Sequence, residues 1–280
     1  MAVRTESRDV GASVGPSEPG RHRRRHRAAT ARLQWWHEVL LIAVGYAIYT
    51  VIRNVVPRHH DRAIQNAIDI ERWERDLGIL REHGINTWLA AHHSIAVVAN
   101  YWYATAHFVV TIGVAIWILW KHPRYARPLR IAWYSTNLAA LVGFYFYPLA
   151  PPRLMPGFVD TIVKFGIWGS WGKEGSADGA SNPYAAMPSM HVGWSVWCAI
   201  VIVVLARRWW IKALAVAYPV VTILVISGTA NHYFLDAVGG LVALGIGFSV
   251  ARLITGAWPF TPENHPAPAE ATTETGRSPA

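Results

Sequence analysis

The stretch PSMHVGWSVWCAIVIVVLARRWWIKALAVAYPVVTILVISGTANHYFLD, residues 188–236, decides the fold. It opens on Pro188-Ser189-Met190-His191 and closes on His232-Tyr233-Phe234-Leu235-Asp236. Between these strings lie two apolar runs, parted by the basic break at Arg207, Arg208 and Lys212. A bilayer crossing takes roughly 20 residues, so the interval between the histidines suits one crossing and its return. His191, His232 and Asp236 are therefore expected at one membrane face. Two imidazoles and a carboxylate there point to chemistry on a lipid headgroup.

The rest of the chain has the same character. Apolar residues make up 52 % and charged residues 15 %, with 15 tryptophans. A soluble domain of this length needs more surface charge; a membrane bundle does not. The apolar runs place six spans at about 39–56, 95–120, 131–148, 192–205, 213–227 and 237–254. The fourth and fifth are short, and Trp209, Trp210 and Tyr233 extend them into the interface zone. The expected fold is all-α, a six-helix integral membrane bundle over residues 35–256. Residues 1–34 and 257–280 are polar, Pro-, Gly- or Arg-rich tails, expected to be disordered.

The net charge of +9 is unevenly placed. Arg21, Arg23, Arg24, Arg25 and Arg27 precede the first span, Lys121, Arg124, Arg127 and Arg130 the third, and Arg207, Arg208 and Lys212 the fifth. With six spans all three clusters share one side, and arginine excess marks the cytoplasmic side. On the other side acidic residues such as Asp61, Asp69, Glu71 and Glu74 offset the arginines. A multi-pass cell-membrane protein with both termini in the cytoplasm is expected. The Arg21–Arg27 run suits anionic headgroups better than nucleic acid beside a span. Arg53-Asn54 follows the first apolar run where a small-residue cleavage site would be needed, so that span reads as a signal anchor. The lone Cys198 forms no internal disulfide and reads as a small buried residue.

Between spans one and two, Ala63, Ala67, Ile70, Trp73 and Leu77 recur at helical spacing with charges elsewhere. This predicts an amphipathic extracytoplasmic helix, ended by Gly78, lying on the interface or capping the bundle. Its charges read as solvated surface, without catalytic weight. Residues 150–187 form a second outer loop, either a lid or an irregular connector.

Span three ends at Tyr147-Pro148, and Ala150-Pro151-Pro152-Arg153 follows. Arg153, His191, His232 and Asp236 thus belong to the extracytoplasmic mouth, while the basic string 121–130 falls on the opposite side. His232 and Asp236, four apart, share one face of a helix. The carboxylate can hold one ring nitrogen and leave the other as a nucleophile; an orienting aspartate of this kind is worth about 10⁴ in rate in serine proteases. Ser189 is a helix N-cap, and the helix start offers N–H groups to an anion. Arg153 is a planar cation suited to phosphate oxygens. Nucleophile, orienter, acid and anion cradle spell phosphoryl transfer through a phosphohistidine. Singly, each feature is an ordinary polar pair, cap or headgroup anchor; their coincidence at one face carries the reading. His107 and Asn137 lie inside spans, with Tyr103 close by. His107 and Tyr103 are secondary candidates, although interhelical hydrogen bonds explain intramembrane polar groups as well.

Pro188-Ser189-Met190-His191 resembles the Pro-Ser-Gly-His motif of the type-2 phosphatidic acid phosphatase superfamily, and His232-x-x-x-Asp236 resembles its third motif. Ala150-Pro151-Pro152-Arg153, Asn231-His232-Tyr233 and Asp236-Ala-Val-Gly-Gly240 look more like its inositolphosphotransferase branch, which includes inositol phosphorylceramide synthases. The likeness covers roughly residues 55–255. It implies an outward-facing site in which His232 attacks phosphorus and His191 protonates the leaving group, with no metal or other cofactor needed. Two cations of the superfamily pattern are missing: a lysine is here Phe146, and a Ser-Arg pair is here Val225-Ile226. Each lost donor costs about 2.7–4 kcal/mol, so a dianionic monoester would be poorly held and a phosphodiester asks less. Ser189, Asn231, Lys164 and Lys173 are the residues that would compensate. A phosphotransferase moving a headgroup unit from a phospholipid to a hydroxyl acceptor is expected, with a phosphatase acting on lipid or polyprenyl phosphates as the alternative. A transporter would show discontinuous helices and internal repeats, and the superfamily's haloperoxidases are generally soluble.

Overall fold

Apolar runs interrupted by Pro, Gly or basic breaks fold here into helices whose ends fall at those breaks. The computed structural model describes residues 60–166 and 182–261, together with Leu40, Val44, Gly45, Ala47 and Val51. The expected tail 1–34, most of the span 39–56, residues 167–181 with Lys173, and everything beyond Thr261 lie outside the described residues. Eight helices follow in order within the two described stretches: α1 (His60–Asp76), α2 (Glu82–Ala91), α3 (His93–Lys121), α4 (Ala126–Phe146), α5 (Thr161–Phe165), α6 (Met190–Leu205), α7 (Trp209–Gly228) and α8 (Phe234–Thr255). Among the described residues there is no strand, only an isolated bridge between Leu149 and Ala185.

The five expected spans from residue 95 onward are all helical. Helix α4 stops at Phe146 because Tyr147 precedes Pro148, and a residue before proline is pushed out of the helical region; Tyr147 sits at φ −131°, ψ 70°. Helix α7 begins four residues earlier than the apolar pattern suggests and takes Trp209 and Trp210 into its first turn. Helices α3, α7 and α8 are long and apolar enough to cross a membrane. Helix α6 is apolar but has 16 residues, about 24 Å at 1.5 Å per residue against a core of about 30 Å. Apolar side chains point outward from the long helices: Val109 is 69 % and Leu253 81 % exposed. Apolar surface on that scale belongs in lipid. Trp120 and Trp209 stand exposed at the end of the bundle opposite His191 and His232, with the Lys121 ammonium 3.9 Å from the Trp120 ring, as at a membrane interface.

Helices α4 and α8 form the most extensive pair in the bundle. Their approach depends on Gly247, where a Cβ would run into the Thr136 hydroxyl and the Ala132 carbonyl; small residues permit such contact where lipid supplies no hydrophobic drive. The core between α3, α4, α6 and α8 is filled by Val114, Leu129, Trp133, Phe144, Trp194, Trp197 and Leu244. Asn137 on α4 donates to the Trp133 carbonyl (2.7 Å) and accepts from Trp194 Nε1 on α6 (3.2 Å). It is an interhelical link. Cys198 is fully buried in the same core.

Two helices cap the end of the bundle. The predicted amphipathic helix is α1, and Gly78 follows it at φ +70°. Its inward face differs from the expected one. Ala63, Ala67, Ile70 and Glu74 are buried, whereas Trp73 and Leu77 are exposed. Alanines at 63 and 67 let α1 lie close: the Ala63 carbonyl accepts from Ala150 N–H, and Asn66 Nδ2 donates to Pro148 O at 2.7 Å. Helix α2 was not foreseen. Its Asn86 amide bonds both Val159 backbone groups and the Gly228 carbonyl, tying the outer loop to the end of α7.

Candidate active site

The site assembles where the chain turns from α7 into α8. Ala230 holds a left-handed φ of 56°, uncommon for a residue with a Cβ. The N–H groups of Asn231 and His232 both reach the Ile226 carbonyl, at 2.9 and 3.2 Å. Helix α8 begins only at Phe234, so His232 precedes it. The expectation of His232 and Asp236 on one helix face is corrected accordingly: the pair forms across the helix cap. Asp236 Oδ2 accepts from His232 Nδ1 at 3.1 Å and from the Tyr233 N–H at 3.0 Å. With Asp236 as a carboxylate, which only accepts, Nδ1 is the donor, and the neutral imidazole then keeps its lone pair on Nε2. Both side chains are buried, Asp236 completely.

His191 enters from the first turn of α6. The Ser189 N–H donates to the Asp236 carbonyl at 2.9 Å, which ties the start of α6 to the start of α8. Gly240 makes this possible, since a Cβ there would strike the Ser189 carbonyl. The His191 and His232 ring centroids are 5.4 Å apart. Both secondary candidates on α3 converge on the same ring. Tyr103 stacks on His191 at 4.4 Å and 22°, and the His107 ring lies 4.3 Å away. His107 Nδ1 donates to the Tyr103 carbonyl at 3.1 Å. Ser189 occupies the N-cap position but makes no cap hydrogen bond; its hydroxyl is buried and has no partner among the described residues.

Arg153 lies in a 3-10 turn, Pro152–Leu154, pinned by its N–H to the Ala230 carbonyl at 2.8 Å. Its guanidinium donates to Asn231 Oδ1, and its Nε stands 3.9 Å from Asp160 Oδ2. Asp160 also caps α5 through the Ile162 and Val163 N–H groups. Asn231, expected as a phosphate donor, instead holds Arg153 with its oxygen and Thr229 with its amide N–H, at 2.8 Å. Lys164 is not brought into the cluster, because its ammonium donates to the Ala90 carbonyl at the end of α2, at 2.8 Å. Phe146 points outward, 65 % exposed, and Ile226 is buried. Neither superfamily cation is replaced at its own position.

Two residues of the cap escaped the sequence reading. Glu74 Oε1 accepts from the Leu235 N–H at 2.7 Å, and Glu82 Oε1 from the Phe234 N–H at 2.8 Å. Both carboxyls are fully buried. The outward apolar Trp73 and Leu77 disguised the inward face of α1, so its periodicity pointed away from Glu74.

The arrangement offers an oriented imidazole with a free nitrogen, a second imidazole beside it, and a guanidinium at the rim. No curated protein and no solved structure matches the chain. The family model of the PAP2 superfamily matches residues 68–250, a segment running from α1 nearly to the end of α8. The chain therefore belongs to the PAP2 superfamily, whose members include phosphatases and phosphotransferases.

Proposed function

We propose that the protein is a membrane phosphotransferase that moves a phosphoryl-headgroup unit from a phospholipid to a hydroxyl acceptor, as in the inositolphosphotransferase branch. The observation that carries this is the His232–Asp236 couple with the His191 ring 5.4 Å away. His232 Nε2 attacks phosphorus while the bond to the diacylglycerol oxygen breaks, and His191 gives that oxygen its proton. The headgroup phosphate remains on His232 through a P–N bond. The acceptor hydroxyl then loses its proton to His191, its oxygen bonds phosphorus, and His232 leaves unchanged. Asp236 keeps the imidazole in the required tautomer and supports its positive charge. Arg153 steadies the phosphate oxygens.

A phosphodiester fits the charge of this site better than a monoester. Among the described residues the rim cation is Arg153, which already faces Asp160, and Lys164 is engaged elsewhere. A dianion would bring a second charge that no further cation of the described site meets. The arginine pattern further supports six crossings, both termini in the cytoplasm and a site opening outward.

The test compares a headgroup-labelled phospholipid with phosphatidic acid, each with and without polyol or lipid-alcohol acceptors, and identifies products by mass spectrometry. The expected result is at least about tenfold higher kcat/KM for the diester, half the cost of one lost oxyanion donor on a logarithmic scale, with the headgroup phosphate transferred to the acceptor. A clear preference for phosphatidic acid, releasing inorganic phosphate, overturns the transferase reading in favour of a phosphatase.

A further inference from the structure

Three consecutive backbone N–H groups follow the candidate nucleophile, and each ends on a carboxyl group: Tyr233 on Asp236, Phe234 on Glu82, Leu235 on Glu74. A helix start leaves its first N–H groups without intrahelical partners and favours negative charge. Usually one side chain of the same helix supplies the cap. Here two of the three acceptors come from α1 and α2, outside the bundle. Glu82 is itself held, its Oε2 accepting from the Arg81 N–H at 2.9 Å. Glu74 Oε2 is buried with no partner among the described residues able to donate to it. A buried carboxyl oxygen without a donor is tolerable when the group keeps its proton.

We propose that Glu74 and Glu82 are positioning residues for His232, a clamp of two buried carboxyls that fixes the first turn of α8 and, through it, the His232–Asp236 hydrogen bond. The proposal rests on the reading of His232 as nucleophile. Burial, then the neighbouring Glu82 carboxyl, pushes the Glu74 carboxyl from 4.5 to about 9, against the lowering effect of the Leu235 N–H. The groups facing the pair are Asp236 and Tyr233 from the start of α8, with His232 acting through Asp236, and Glu71 one turn earlier on α1. The Asp236 charge adds to the upward push on Glu74. The Tyr233 hydroxyl, itself pushed upward by burial and by Glu71, donates to Glu71 at 3.2 Å. Loss of the Glu74 proton puts a further charge in the buried pocket beside Asp236 and loosens the clamp, so turnover falls as pH rises through about 9.

Glu74→Gln reproduces the protonated form at every pH, with its amide oxygen for Leu235 and its N–H for Glu82. The experiment measures kcat and KM from pH 6 to 10.5 for the wild type, Glu74→Gln, Glu74→Ala and His232→Ala, with thermal unfolding in detergent over the same range. In the wild type, kcat is expected to lose about tenfold per pH unit above about 9. That limb should vanish in Glu74→Gln. Glu74→Ala should lose about 10²-fold in kcat, as a misplacement of about 1 Å does, with KM little changed because the pair touches no substrate. The folded state holds a proton that the unfolded chain releases, so this group's stabilisation is full below 4.5 and lost as pH rises to about 9. Glu74→Gln should remove that slope. A Glu74→Gln profile superimposed on the wild type, in rate and unfolding alike, overturns the clamp, even if Glu74→Ala fails to fold. Retained turnover in His232→Ala instead overturns the nucleophile reading on which the clamp depends.

Discussion

At the scale of single residues, Arg153 and Asn231 divide work that the sequence suggested both would do on phosphate. Asn231 bonds Arg153 through its oxygen and Thr229 through its N–H, so on the proposed function its contribution to a substrate passes through the guanidinium. Arg153→Lys keeps the charge but loses the planar fork; kcat/KM should fall about 10²- to 10³-fold, the cost of one oxyanion donor. Asn231→Ala should fall less, about tenfold and chiefly in KM, since the guanidinium stays but its held geometry goes. Steady-state kinetics on the same donor checks both, and an Asn231→Ala loss exceeding that of Arg153→Lys would contradict this division. The convergence of His191, His232, Asp236 and Arg153 at one end of the bundle was legible because each adjoins the end of an apolar run. Glu74 and Glu82 were not, because a buried carboxylate and a solvated one look alike until the backbone N–H groups that hold it are in place. Lys164 was misjudged for the same reason: its partner, the Ala90 carbonyl, belongs to a helix with no sequence signature of its own.

Among elements, the register between α6 and α8 matters most. The Ser189 N–H bonds the Asp236 carbonyl, and Gly240 leaves room for the Ser189 carbonyl beneath α8. Gly240→Ala must displace backbone, not a flexible side-chain end, and overpacking of this kind costs about 1–3 kcal/mol. It should lower the unfolding temperature in detergent and reduce kcat together. Gly245→Ala, five residues further along α8 where a Cβ meets nothing within 4 Å, should do neither. Equal behaviour of the two variants would contradict the register argument. Helix ends followed recognisable chemistry at Gly78 and at Tyr147-Pro148, whereas α2 stayed hidden: its inward residues are Glu82, Asn86, Leu89 and Ala90, half of them polar. A periodicity search for apolar faces passes over a helix whose buried face makes hydrogen bonds.

For the whole molecule, the distribution of function follows from what each layer can hold. Helices with apolar exteriors place the site at one end of a bundle, and α1 and α2 close over that end with alanines, asparagines and buried carboxyls. On the proposed function, the lipid-facing walls would bring a substrate with acyl chains to the buried His232 and the half-buried His191. The central claim is that His232 takes the phosphoryl unit onto its own nitrogen. The most direct measurement is rapid quenching of the purified enzyme with headgroup-labelled phospholipid and no acceptor, followed by peptide mapping. An acid-labile, base-stable label on the peptide containing His232, absent from His232→Ala and chased off by an acceptor alcohol, is the expected result. Full turnover by His232→Ala, or a label that forms elsewhere and survives that substitution, would contradict the account.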